Sequence, residues 1–416
     1  MERAQSALGI VLILAVSYSL CPAALRRRVQ WRTIATGLGI LAVTAVLVLK
    51  TAVREVFKAA DEQVQDVLAY CDRGAEFVFG KFVDPTGPWG FIFAVKVLPT
   101  IVVFAALMSV LYYIRVLPFI VKILGRSLSK ILGTSGAESF STAADIFVGQ
   151  TEAPLTIGPY VPKLTKSELN ACMVAGFATT AGGVLFAYVQ MLKDHIDGIA
   201  GHLIACSVMC APASLVVAKL IYPESEAALT AGEAQIEIPK TYDNFFDALA
   251  AGTTDGLKLA FNVGAMLISF TAIMAMLNGA VGWFGDKIDF EGTLSIEGIL
   301  GWLFSPIAWA MGVEWSEATK VGSLLGQKTV LTEFIAYDNL SKSLAKDPTY
   351  LSERGRLIAS YALCGFANFM SIGIQIGGYS ALAPERRADI SRLAFRAMIG
   401  GALTTCLVAA FAGLLA

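Results

Sequence analysis

Residues 149–164 read GQTEAPLTIGPYVPKL and interrupt a chain that is otherwise almost unbroken apolar sequence. Gln150, Thr151 and Glu152 occupy consecutive positions just before Pro154. The wider stretch, 132–164, is moderately apolar and punctuated by Ser, Thr, Gly and Pro, with Lys130 before it and Lys163 and Lys166 at its far end. Basic flanks favour the cytoplasmic side, so both ends belong on one face of the bilayer. A segment that enters and leaves by the same face is a re-entrant hairpin, and non-helical backbone at membrane depth is tolerated only where it lines a polar cavity.

The surrounding composition agrees. Hydrophobic residues make up 56% of the 416 and charged residues 16%, with a mean hydropathy of +0.65; soluble domains carry roughly 25% charged residues. The chain is therefore an integral membrane protein whose first partner is the lipid bilayer. A net charge of -1, with no long basic run and no aromatic-basic stripe, argues against nucleic acid. Seven cysteines (Cys21, Cys71, Cys172, Cys206, Cys210, Cys364, Cys406) lie mostly in apolar runs without CxxC spacing, and read as small buried hydrophobes rather than disulfides or zinc ligands.

The first apolar run, 7–25, is followed at once by Arg26, Arg27, Arg28 and Arg32, whereas only Arg3 precedes it. A cleaved leader carries its basic residues first, so the pattern predicts a retained membrane helix ending in the cytoplasm. A second span covers 33–53, and 54–80 keeps helical spacing with too many charges to cross, which predicts a helix along the outer surface. A third span covers 89–114, with Lys96 read as a snorkelling side chain. Within 115–130, Lys122, Arg126 and Lys130 recur every four residues and mark a helix on the cytoplasmic interface. Spans follow at 167–191 and 198–222, then a charged cytoplasmic connection at 223–240 and a span at 257–277.

A surface helix at 295–312 leads into a second interrupted segment, 314–340, which repeats the first. Gly149-Gln150 recurs as Gly326-Gln327, and each segment is followed by a hydrophobic helix containing Gly-Phe-Ala, at Gly176-Phe177-Ala178 and Gly365-Phe366-Ala367. Three spans separate the two segments, so the second hairpin enters from the opposite face. That is the inverted-repeat plan in which paired broken segments meet near the midplane and form a solute site. Arg386, Arg387, Arg392 and Arg396 precede the final span, 393–415, in agreement with this count. Lys342, Lys346, Arg354 and Arg356 fall outside on the same map, against the rule. The expected organisation is scaffold helices with an outer surface helix at 1–114, a first repeat at 115–222, a connection and scaffold span at 223–282, and a second repeat at 283–416.

Carboxylates at bilayer depth cost about 2.5–3.5 kcal/mol each, which makes Glu152 and Glu333 functional candidates unless they merely lock the hairpin tips. Asn368 and Ser371 stand three apart and share a helix face. A carboxylate, an amide and a hydroxyl on one wall suit adjacent hydroxyls such as those of a sugar. Gln150, Thr151 and Glu152 offer mixed donors and acceptors suited to a flat heteroaromatic edge.

GQTEAPLTIGPYV at 149–161, GQKTVLTEFIAY at 326–337 and GFANFMSIGIQIGG at 365–378 resemble the signature segments of the concentrative nucleoside transporters, in the same order over nearly the whole chain. The resemblance implies eight transmembrane helices, two re-entrant hairpins of opposite orientation, a homotrimer, and elevator-like movement of the domain that holds the hairpins. It implies that Gly149, Gln150, Thr151, Glu152 and Val184 face the nucleobase, and that Glu333, Asn368 and Ser371 hold the ribose with Phe366 nearby. By residue type alone, Val184 and Phe366 read as ordinary helix packing.

The coupling ion is where the sequence departs from the family. Sodium-coupled members resemble one another in an asparagine at the position of Asp145, a carbonyl at Val148, and a hydroxyl plus carbonyls at Thr179 and Thr180. Here Asp145 is acidic and Thr179 replaces a serine. Both changes keep oxygen, which a hard cation prefers, whereas a buried acid can also carry a proton. Sodium is the expected ion and the proton its alternative. Thr332, where asparagine is usual, and Met370, where serine is common, leave the choice between pyrimidine and purine open. Two rival readings are an intramembrane hydrolase using Glu152 and Glu333, and a transporter of another small polar solute. No histidine stands near these motifs, no nucleophile elbow or metal-ligand pattern appears, and no cofactor is expected. A bacterial inner membrane is the expected location.

Overall fold

The computed structural model describes residues 2–51, 53–84, 86–232, 241–288 and 294–416. Most of the expected connection at 233–240 lies outside the described residues. Among these residues every regular element is a helix, and six stretches are long and apolar enough to cross a membrane. The protein is an all-α integral membrane protein.

α1 (Glu2–Ser19) stops short of the predicted 25 because Pro22 disfavours helix through the residue before it; the arginines then form one 3-10 turn, Arg26–Arg28. α2 (Trp31–Lys50) is the second apolar helix. The charged stretch after it forms α3 (Val53–Phe79), which buries Val64, Leu68, Cys71 and Ala75 at three- and four-residue spacing along one face. A short α4 (Phe93–Lys96) leads into α5 (Leu98–Tyr113). Lys96 does not snorkel: its Nζ lies 2.7 Å from Asp72 on α3, so this charge ties the third span to the surface helix.

α6 (Val116–Leu132) exposes Lys122, Arg126 and Lys130 and buries Val121, Gly125 and Leu128 opposite them. It ends at Gly133, whose φ of 70° a residue with a side chain adopts only with strain. Gly125 has no room for a Cβ, which would sit 2.7 Å from the Phe140 ring of α7 (Gly136–Ala144). After α7 the chain turns through the opening stretch as an irregular 3-10 segment, Ala153–Lys163, where Pro159 and Pro162 remove the donors a regular helix needs. α8 (Lys166–Ala178) follows. Ser135 and Thr165 cap α7 and α8 through reciprocal hydrogen bonds with Glu138 and Glu168.

The apolar run 167–191, expected as one helix, breaks at Thr179–Ala181 into α8 and α9 (Gly182–Leu192). α10 (Ile199–Ile221) ends with Lys219 placed 2.7 Å from Glu138 Oε2 and donating to Ser167 Oγ at 2.9 Å. One ammonium thus gathers the start and the end of the first interrupted segment. α11 (Phe245–Lys287) runs 43 residues, far beyond the predicted 257–277. Gly252 and Gly256 let it approach α5 so closely that a Cβ at either would meet Ser109, Ala105 or Val102 within 2.8 Å.

α12 (Ile296–Ala310) is bent by 116° from α13 (Trp315–Val330). α13 and α14 (Glu333–Lys346) pack together across the break at Leu331 and Thr332, where the second interrupted segment was read. α15 (Glu353–Leu363) and α16 (Phe369–Leu382) form a second broken helix, and α17 (Arg387–Leu415) packs on α1, α8, α10, α15 and α16. The cations that fit the charge rule badly are held locally. Lys342 pairs with Asp338 at 2.6 Å, Arg354 donates to Gly312 O and Ser6 Oγ, and Arg356 donates to the carbonyls of Leu351 and His195.

Candidate functional site

The site lies where the two broken helices meet. Gly365 has a φ of 90°, its amide donates to Thr180 Oγ1 at 2.9 Å, and a Cβ there would lie 2.5 Å from Ala178 O. The two Gly-Phe-Ala motifs are therefore in backbone contact, and this contact needs a glycine.

Thr332 caps α14 by accepting from Ile335 N, so it does the work an asparagine does at a helix N-terminus. Glu333 is the first residue of α14, where the positive end of the helix favours a carboxylate. Its Oε1 accepts from Tyr188 Oη at 2.9 Å and its Oε2 from Asn368 Nδ2 at 2.7 Å. Asn368 in turn caps α16, with Oδ1 accepting the Ser371 amide at 2.8 Å. Glu333, Asn368 and Ser371 are all buried.

The first tip reaches the same place. Gln150 Nε2 donates to Ser371 Oγ at 3.2 Å, and Gln150 Oε1 accepts from Gln375 Nε2 at 3.1 Å. Gln375 also donates to Met173 O at 3.1 Å. Gly176 makes room for this ladder, since a Cβ there would lie 2.8 Å from Gln375 Nε2 and 3.1 Å from Gln150 Cβ. Gly149 is crowded by Glu152, whose Oε2 would be 2.5 Å from a Cβ. Glu152 keeps solvent-accessible surface and Thr151 keeps some, as side chains lining a cavity do. Val184 is buried in the apolar core and Phe366 is half-buried beside it.

Asp145 closes α7 with its amide on Ser141 O, and its side chain is 1% exposed. Neither carboxylate oxygen has a hydrogen-bond partner among the described residues. The Thr179 hydroxyl donates to Ala175 O, and the Thr180 hydroxyl is engaged by the second break, so the link between α8 and α9 offers backbone oxygen. An orphaned buried carboxylate at the end of one half-helix, in a set of hydroxyls and carbonyls, fits a cation or a proton.

Sequence reasoning missed Tyr188, Gln375 and Lys328. Tyr188 lies four residues after Val184, and Gln375 four after Ser371, each on the same helix face as a predicted residue. Lys328 directly follows the repeated Gly326-Gln327.

Residues 202–413 match the family model described as the Na+ dependent nucleoside transporter C-terminus, and 8–82 match its N-terminus. The chain belongs to the Na+ dependent nucleoside transporter family. Residues 94–194 match a model described as nucleoside recognition. An uncharacterized transporter of Haemophilus influenzae is 43% identical over 100% of this chain and 98% of its own length. Solute carrier family 28 member 3 of Rattus norvegicus is 42% identical over 93% of this chain, which spans 55% of that longer protein. Among solved structures, CNTnw in an inward-facing substrate-bound state is similar at 42% identity with a TM-score of 0.92, covering 100% of this chain and 98% of that one. The protein is thus a multi-pass membrane transporter and not an enzyme.

Proposed function

We propose that the chain takes up nucleosides such as uridine by sodium-coupled symport, with elevator-like movement of the domain that carries the two interrupted segments. The observation that carries this reading is the hydrogen bond between Gln150 and Ser371, which joins an amide-rich wall to the Glu333–Asn368–Ser371 wall. A nucleoside links a flat heteroaromatic base to a hydroxylated sugar by one bond, so its two recognition surfaces must adjoin.

In this reading Glu333 and Asn368 hold the ribose hydroxyls, and Ser371 exchanges its bond to Gln150 for one to substrate. Phe366 packs nearby. Gly149, Gln150, Thr151 and Glu152 address the base, with Val184 as apolar backing. Asp145, Val148, Thr179 and Thr180 supply oxygen to the ion. Relatives named sodium/nucleoside cotransporters support sodium, and two unpartnered carboxylate oxygens suit it. Proton coupling through Asp145 is the second reading, favoured by the same orphaned acid. The elevator is supported by the hydrogen bonds that lock both tips and both breaks to one another rather than to α2, α3 and α11. A homotrimer in a bacterial inner membrane follows from the family likeness.

The test is radiolabelled uridine uptake into proteoliposomes under an inward sodium gradient, compared with an inward proton gradient at matched voltage without sodium. Accumulation under sodium alone supports the first reading. Accumulation under protons alone moves the coupling role to a proton on Asp145, and no accumulation under either removes coupled uptake.

A further inference from the structure

Lys328 on α13 is buried, and its Nζ donates to the carbonyls of Ala362 and Cys364, each at 2.8 Å, and to Thr405 Oγ1 at 3.1 Å. Those carbonyls form the C-terminal end of α15, which the break before α16 leaves without continuing helical amides. All three ammonium donors meet neutral oxygens. Among the described residues no carboxylate lies within ion-pair distance of Lys328. A buried ammonium without a counter-charge is costly, so its presence calls for a reason other than filling space.

The internal repeat supplies that reason. Superposing Gly365-Phe366-Ala367 on Gly176-Phe177-Ala178 places Ala362 and Cys364 on Met173 and Ala175 at the end of α8. In the first repeat that end adjoins Thr179 and Thr180, the link assigned above to the coupling ion. C-terminal ends of half-helices attract cations, and two carbonyls with a hydroxyl make the kind of oxygen set a hard cation accepts.

We propose that Lys328 is a tethered cation. It occupies in the second repeat the place that an exchangeable ion takes in the first, so the second half-helix end is permanently charged and only the first site loads and releases an ion. The consequence for binding is local: the end of α15 is held fixed, and with it Asn368 at the start of α16. This inference rests on the coupled-transport reading but not on which ion is carried.

The test is Lys328→Ala in proteoliposomes, with uridine uptake driven by the gradient that drives the wild type and methylammonium replacing choline at constant ionic strength. The expected result is uptake about 10-fold or more below wild type in choline, as for loss of a charged hydrogen-bonding group. Methylammonium then restores it saturably and leaves the wild type unchanged. Purified Lys328→Ala should also unfold at a higher temperature in methylammonium, with no such shift in wild type. Wild-type uptake by the variant in choline overturns the proposal, as does a loss that neither methylammonium nor ammonium relieves. Should Lys328→Ala not be recovered folded, Lys328→Ser is expressed with and without methylammonium. Recovery only with the amine supports the proposal, and failure in both overturns it. A wild type that accumulates no nucleoside sinks the transport reading itself, whereas a working wild type with an unrescued variant sinks only the tethered cation.

Discussion

Asn368 and Glu333 are joined by a 2.7 Å hydrogen bond whose direction the backbone dictates. Asn368 Oδ1 is fixed as the cap of α16 by the Ser371 amide, so its Nδ2 must face the Glu333 carboxylate. Helix termination and the orientation of a binding carboxylate are thus one feature.

Asn368→Asp tests this coupling, because it keeps a good cap while setting a carboxylate against a carboxylate. The variant is expected to fold and to lose uptake by about 10- to 100-fold, the range for a hydrogen bond to a charged group worth about 1.5–3 kcal/mol. Asn368→Ser keeps a cap and loses only the donor, so it should fall between the two in uridine KM. Equal uptake by all three proteins separates Asn368 from binding.

Tyr188→Phe removes the second donor to Glu333 but keeps the ring among Phe334 and Tyr337, whose centroids lie 4.9 and 4.4 Å away. Uridine KM is expected to rise about 10-fold. The preference for uridine over 3′-deoxyuridine should shrink, which a packing defect alone does not produce.

Asp145→Asn should keep sodium-driven uptake, because an amide oxygen still ligates a hard cation, and should abolish any proton-driven component. Uptake by this variant under a proton gradient in sodium-free buffer, equal to wild type, excludes Asp145 as a proton carrier.

Gly365→Ala combines a left-handed backbone, costing about 1–2 kcal/mol with a side chain, with a Cβ 2.5 Å from a backbone oxygen. A lower unfolding temperature in detergent is expected. Gly74→Ala on α3, where nothing lies within 4 Å, is the control and should be neutral or stabilising by up to about 1 kcal/mol.

Lys219→Met leaves Glu138 buried and unpaired, and breaking such a pair costs about 3–5 kcal/mol. Adding Glu138→Gln keeps the helix cap while removing the stranded charge, so the double variant should unfold at a higher temperature than Lys219→Met alone.

The all-helical membrane class, the two interrupted segments and the polar residues between them were legible in the sequence. Long apolar runs have few alternatives in a bilayer, and polar residues within them stand out against a high cost. The Gly-Gln and Gly-Phe-Ala repeats also announced the symmetry. Only the tertiary structure decided where the helices break, that the break at Gly365 rests on Ala178, and that Tyr188 and Gln375 orient Glu333 and Gln150. It also decided that Lys96 and Lys219 are paired, while Lys328 is caged by carbonyls. Periodicity and composition report which face of a segment prefers lipid or protein. They carry no term for contacts between residues nearly two hundred positions apart, and those contacts fix the geometry of this site.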